Sequence, residues 1–144
     1  MIPPLIYADF NSLEPYSYGS YDSRVDLVGY GSLRSLARQK IQLSEGMRLI
    51  ICEPGDLEAD GIAHFDQTTT DPAGRSGKWF ALLNRDEIRK STQEDILTDD
   101  HPCFECGEDL NKILATKARN YTEKCPICNT SIMKPLEAPP TDAI

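Results

Sequence analysis

The chain has little of what most catalytic and nucleic-acid-binding proteins depend on. Its 144 residues hold two histidines, so chemistry built on imidazole has only His64 and His101 to use. His64, flanked by Ala63 and Phe65 in a strand-like run, reads as a structural or surface residue, and no nucleophile-base-orienter arrangement emerges. Asp9, Asp56, Asp60 and Asp66 are scattered over turns and strand ends, where aspartate is favoured for local hydrogen bonding, and do not form a hydrolytic metal cluster. A phosphate-cradling glycine loop is also missing: Gly29-Tyr30-Gly31 precedes a helical pattern, but without the third glycine. Apolar runs fall far short of the roughly 20 residues that cross a bilayer. The N-terminus lacks a basic stretch followed by a hydrophobic core of signal-peptide type. Basic residues are scarce as well. Fifteen stand against twenty-three acidic ones, a net charge of −8 with a pI near 4.7, so phosphate backbones are repelled on average.

Cysteine is also sparse, but four of the five cysteines fall in one pattern. Cys103-Phe104-Glu105-Cys106 and Cys125-Pro126-Ile127-Cys128 are two C-x-x-C pairs separated by eighteen residues. A pair at this spacing closes a tight turn with both sulfurs pointing the same way. Two such knuckles facing each other supply four thiolates at tetrahedral geometry, which zinc accepts without strain. Gly107 closes the first knuckle where a positive φ is easy, and Pro126 pre-sets the second. Asn129, which tolerates the left-handed region better than most residues, stands where a second glycine is expected.

These residues, over positions 102–134 only, resemble the zinc-ribbon family. The second knuckle departs from that family's C-P-x-C-G by having Asn129 in the glycine position. The resemblance implies a small β-hairpin fold around metal and names no activity. Other readings of the cysteines are buried thiols, disulfides, a thioredoxin-like redox pair, which would need a strand-turn-helix context, and a rubredoxin-like iron site for an electron carrier. Zinc is preferred over iron because Tyr121 is the one aromatic in the intervening loop, too little to shield a redox iron from water. His101 is read as a solvated residue, not a replacement ligand. The expected metal ligands are therefore Cys103, Cys106, Cys125 and Cys128. With all four positions filled by protein, the Zn2+ is structural and leaves no open place for substrate.

Size and composition suggest how the rest is organised. The chain has room for one domain of ordinary size plus a satellite, and with 40% hydrophobic residues it can bury a core. The expected division is a small β domain over 1–90, an acidic linker over 91–101, a zinc ribbon over 102–134 and a flexible tail over 135–144. A segment as short as the ribbon needs a metal to fold, so chelation is expected to unfold it and leave the rest folded. Metal-paired thiols fit a reducing compartment, and a cytoplasmic location is expected. Cys52, alone in an apolar run, reads as a core residue.

In the main domain, residues 5–10, 24–28, 47–52, 57–65 and 78–83 read as strands. Residues 11–23, rich in tyrosine, read as a loop that either packs on the core or serves as a contact surface. Residues 32–39 read as a short helix capped by Ser32, with Leu33, Leu36 and Ala37 on one face. Pro54-Gly55-Asp56 reads as a turn, residues 68–77 as a loop, Asp86-Glu87-Ile88 as a helical turn, and Gly61 as a bulge in a bent strand. Trp79, the single tryptophan, is expected in the core. The fold class is mainly β with a short helix: a small bent β-barrel or a curled antiparallel sheet. It resembles Src-homology-type small barrels in layout, without a diagnostic motif.

Two functional classes remain. The first is a non-catalytic interaction protein that docks on a protein partner or a multisubunit assembly through its acidic domain. The alternative is an accessory factor of nucleic-acid machinery whose ribbon touches nucleic acid. Residues 101–134 carry five basic and four acidic side chains, so the ribbon stands at +1 and the other residues at −9. Lys117, Arg119 and Lys124 form at most a weak basic face, and protein is the favoured partner.

Overall fold

A computed structural model describes residues 3–70, 76–91, 102–110 and 124–137. Seven strands form one sheet: β1 (Leu5–Tyr7), β2 (Glu14–Tyr18), β3 (Tyr21–Asp26), β4 (Arg48–Glu53), β5 (Leu57–Thr70), β6 (Ser76–Leu83) and β7 (Arg89–Lys90). Their order is β1-β4-β5-β6-β3-β2, with β7 pairing the start of β5. A single helix, α1 (Tyr30–Arg38), and three short 3-10 turns complete the described elements. The fold is therefore mainly β with one helix, and the sheet is curled and open. The closed-barrel alternative is corrected: among the described residues no ladder joins β2 to β1. The sheet is also not purely antiparallel, because β1 lies parallel to β4 with Ile6 opposite Ile51.

The chemistry of α1 explains why the sheet stays open. Ser32 Oγ donates to Tyr7 O (2.6 Å), and Ser35 Oγ accepts from Tyr7 N (3.1 Å). Gln39 Nε2 donates to Leu5 O (2.8 Å). Polar helix side chains thus occupy the free edge of β1, where a closing strand would have to bind. Ser32 therefore lies inside the first turn rather than capping it. The N-cap is Gly29, which has no side-chain cap bond. Leu33, Leu36 and Ala37 are buried, as their spacing predicts.

Curvature comes from β5, whose fourteen residues serve two sets of partners. It pairs with β4 throughout its first half and passes from β7 to β6 on its other side. Gly61, opposite Leu49, lies at this changeover, and a Cβ there would sit 2.5 Å from Leu82 O. The ladder is regular at Gly61, and the register shift falls between Asp66 and Thr70. The glycine is thus required by close backbone approach and not by a bulge.

One face of the sheet, with Ile6, Val25, Leu49, Ile51, Trp79, Ala81 and Leu83, packs into a single buried cluster with Leu33 and Leu36 of α1. The opposite face is polar and aromatic. Arg24 binds Glu14 (2.6 Å) and Asp66 (2.8 Å) while its guanidinium lies 4.2 Å from the Tyr16 ring centre and 3.9 Å from that of Phe80. Burial works against the Asp66 carboxylate, but hydrogen bonds from Thr68 and Arg24 outweigh it and hold the carboxyl below its ordinary value. A depressed folded value means that this stability is present above the unfolded pKa and is lost as pH falls through the folded one. Acid titration of Asp66→Asn is expected to show a less stable protein at neutral pH with a shallower loss of stability below about pH 4.

Candidate metal centre

Each C-x-x-C pair is built by the same set of backbone bonds. In the first knuckle Gly107 N donates to Cys103 O (3.0 Å), Cys103 N donates to Glu108 O (2.7 Å), and Pro102 bridges Asp109. In the second, Asn129 N donates to Cys125 O (2.9 Å), Cys125 N donates to Thr130 O (2.9 Å), and Lys124 bridges Ser131. The residue after the second cysteine has positive φ in both, 80° at Gly107 and 62° at Asn129. Asparagine is among the few residues that take this conformation at low cost.

The knuckles face each other and bring the sulfurs of Cys103, Cys106, Cys125 and Cys128 within 4.8 Å of one another. Cys103 Sγ lies 3.6 Å from Cys128 Sγ, and Cys106 Sγ lies 3.6 Å from Cys125 Sγ. All four are free thiols. A tetrahedron with metal-sulfur arms of about 2.3 Å has edges of about 3.8 Å, so the four sulfurs fit a thiolate-bound divalent cation. The group can hold a metal ion.

Comparison with protein-family models, with curated proteins and with solved structures found no match. The reading of the centre therefore rests on its own geometry.

The first cysteine of each pair is buried and the second exposed. The second sulfurs also differ in proton affinity. Hydrogen bonds from the Thr130 side chain and backbone hold the Cys128 thiol down to about 6. At Cys106 the Glu108 N–H acts in the same direction, but desolvation and hydrogen bonds shared with the other three cysteines push the thiol up to about 12. A lowered thiol at Cys128 favours cation binding, because the metal takes the place of the proton.

The knuckles rest on the main sheet through contacts that the cysteine spacing does not reveal. Lys40, itself at φ 54°, donates from Nζ to Phe104 O (3.0 Å) and Glu105 O (3.3 Å). Lys134 pairs with Glu105 at 2.9 Å. Gln42 Nε2 donates to Lys134 O (3.1 Å), and Trp79 Nε1 donates to Glu137 O (3.0 Å) across fifty-eight residues. Cys103, Leu110, Cys125, Ile132, Met133 and Leu136 belong to the same buried cluster as the sheet. The 3-10 turn Lys134–Leu136 buries Pro135 and Leu136. The lone tryptophan, Trp79, is fully buried, and this docking supplies the partner that its indole N–H needs.

Cys52 takes no part in the centre. It is fully buried, its Sγ lies 3.3 Å from Ser91 Oγ, and burial pushes its thiol up. A thiol reagent applied with a chelator should therefore titrate four cysteines rapidly and the fifth only in denaturant. Rapid reaction of all five would show that Cys52 is accessible in the folded protein. His64 pairs with Glu45 (2.9 Å) far from the cysteines in sequence. His101, Tyr121, Lys117, Arg119 and most of the expected acidic linker lie outside the described residues.

Proposed function

We propose that the chain is a non-catalytic, zinc-binding interaction protein whose ribbon-like knuckles hold a structural Zn2+ and help build a surface that docks on a protein partner or a larger assembly. The observation that carries the reading is the convergence of four cysteine sulfurs within 4.8 Å. Four thiolates complete zinc's preferred coordination and leave no position for water or substrate, so the ion supplies architecture rather than turnover. Its binding free energy becomes folding free energy for the two short knuckles.

Two features favour protein over nucleic acid as the partner. The described knuckle residues carry Glu105, Glu108 and Asp109 against Lys124 and Lys134, and Lys134 is already paired with Glu105. Four thiolates around a divalent cation add a formal double negative charge, which repels phosphates. Second, Ile127 at the tip of the second knuckle is 68% exposed, an apolar anchor for a protein contact. An iron electron carrier fits less well, because Cys106 and Cys128 are open to water and a redox iron needs shelter.

Cross-linking in native extract, with and without prior chelation, tests the reading. The expected result is a protein partner that is lost when metal is removed. Salt-dependent binding to single-stranded or duplex nucleic acid, with a slope flattened by replacing Arg119 and Lys124, would instead support the nucleic-acid alternative.

A further inference from the structure

The two edges of the sheet are treated differently. β1 is sealed by Ser32, Ser35 and Gln39 of α1. β2 pairs with β3 on one side, and among the described residues its other side has no strand partner. An open edge offers its backbone N–H and C=O groups to any extended chain, and proteins protect such edges with lysine, proline, a bulge or a covering element. β2 has no lysine or arginine. Pro15 removes one donor and a register shift falls between Pro15 and Tyr18, so the edge is interrupted but not covered among the described residues.

Side chains beside this edge form a recognisable surface. The Tyr16 and Tyr18 rings stack with centres 6.4 Å apart and 10° between their planes. Tyr18, 45% exposed, lies over His64 at 4.4 Å. Half-exposed carboxylates flank the pair: Glu14 beside Tyr16, and Glu45, whose Oε2 lies 2.9 Å from His64 Nδ1. Glu14 and Asp66 share the guanidinium of Arg24, and Lys78, opposite Asp66 in β6, pairs with Asp26 at 2.7 Å. Arg24 shows what the surface accepts, because its guanidinium already lies on the Tyr16 ring with Glu14 as counter-ion. The outer ring, Tyr18, carries no cation among the described contacts, and the outer carboxylate, Glu45, is met by the His64 ring (2.9 Å) and by Phe65 N–H (2.9 Å).

We propose that β2 is a docking edge for an extended, lysine- or arginine-bearing segment of a partner protein, which adds to the sheet as a further strand and sets a basic side chain against Tyr18 and the neighbouring carboxylates. A second copy of this chain fits poorly, because its own β2 brings Glu14 and no basic residue. Nucleic acid meets the same carboxylates and is repelled. The proposal rests on reading the chain as an interaction protein and names the surface and the chemistry of its partner.

The test is amide chemical-shift mapping on the full, metal-loaded chain with two capped probe peptides, Lys-Val-Lys-Val-Lys-Val and its glutamate counterpart. The expected result is shifts concentrated at residues 14–18 with the lysine peptide alone, weakening as salt is raised. Tyr18→Ala, at an exposed position, is expected to weaken binding about tenfold. The mapping on the unaltered chain stands without that variant. Equal response to the glutamate peptide, no response to either, or a β2-to-β2 dimer in sedimentation overturns the proposal. Shifts confined to the knuckle around Ile127 also overturn the edge assignment while leaving the interaction reading intact. That reading fails separately, if no metal-dependent partner is cross-linked.

Discussion

Stripping the metal from the intact protein will move the emission of Trp79 to longer wavelength and raise its quenching by iodide. The indole is fully buried, and its N–H is bound to Glu137 O just beyond the knuckles. Without a cation, four sulfurs held within 4.8 Å gain no coordination energy. The short bridges at Pro102 and Lys124 cannot hold the knuckles by themselves. Their release takes Met133 and Leu136 out of the shared core and frees Glu137. Cys125→Ser should behave similarly, costing about 3 kcal/mol or more and lowering Tm by roughly 10 °C. The sequence reading expects chelation to act on residues 102–134. The common core extends that effect to one side of the sheet, and tryptophan emission measures how far it reaches. An unchanged spectrum in excess chelator would mean that the knuckles stand without metal or do not support Trp79.

The second large effect is expected at Gly61→Ala. The added methyl would lie 2.5 Å from Leu82 O, and because that neighbour is backbone of the adjacent strand it cannot swing aside. β5 and β6 would have to separate where the sheet bends, at an expected cost of about 3 kcal/mol. Gly29→Ala is the comparison. A Cβ at Gly29 meets nothing within 4 Å, and the expected loss there is about 1 kcal/mol, from the helix N-cap. Denaturant unfolding of the two variants checks the difference. Equal midpoints would show that the strands accommodate the methyl group.

How much of this was legible in the sequence follows from the range of each interaction. The knuckles could be read because their hydrogen bonds join residues four or five positions apart and because Gly107 and Asn129 advertise a positive φ. Strands β4, β5 and β6 were read within a few residues at most ends, since continuous apolar runs carry their own signal, although β5 continues to Thr70 where a loop was expected. β2 was read as loop. Its Pro15 and tyrosines show no alternation of apolar and polar residues, because both of its faces are largely exposed or polar. The first expected strand ends early: Leu5–Tyr7 is followed by a 3-10 turn at Phe10–Ser12, where Asp9 accepts from Asn11 N. The parallel β1–β4 pairing, the sealing of β1 by helix serines, and Lys40 beneath the first knuckle all join residues more than twenty positions apart. No local pattern encodes them.

X-ray absorption at the metal edge of freshly purified protein, combined with elemental analysis, tests the central claim most directly. The predicted result is about one zinc per chain surrounded by four sulfurs at about 2.3 Å. Protein that is folded and metal-free, or a metal bound mainly through oxygen or nitrogen, would contradict it.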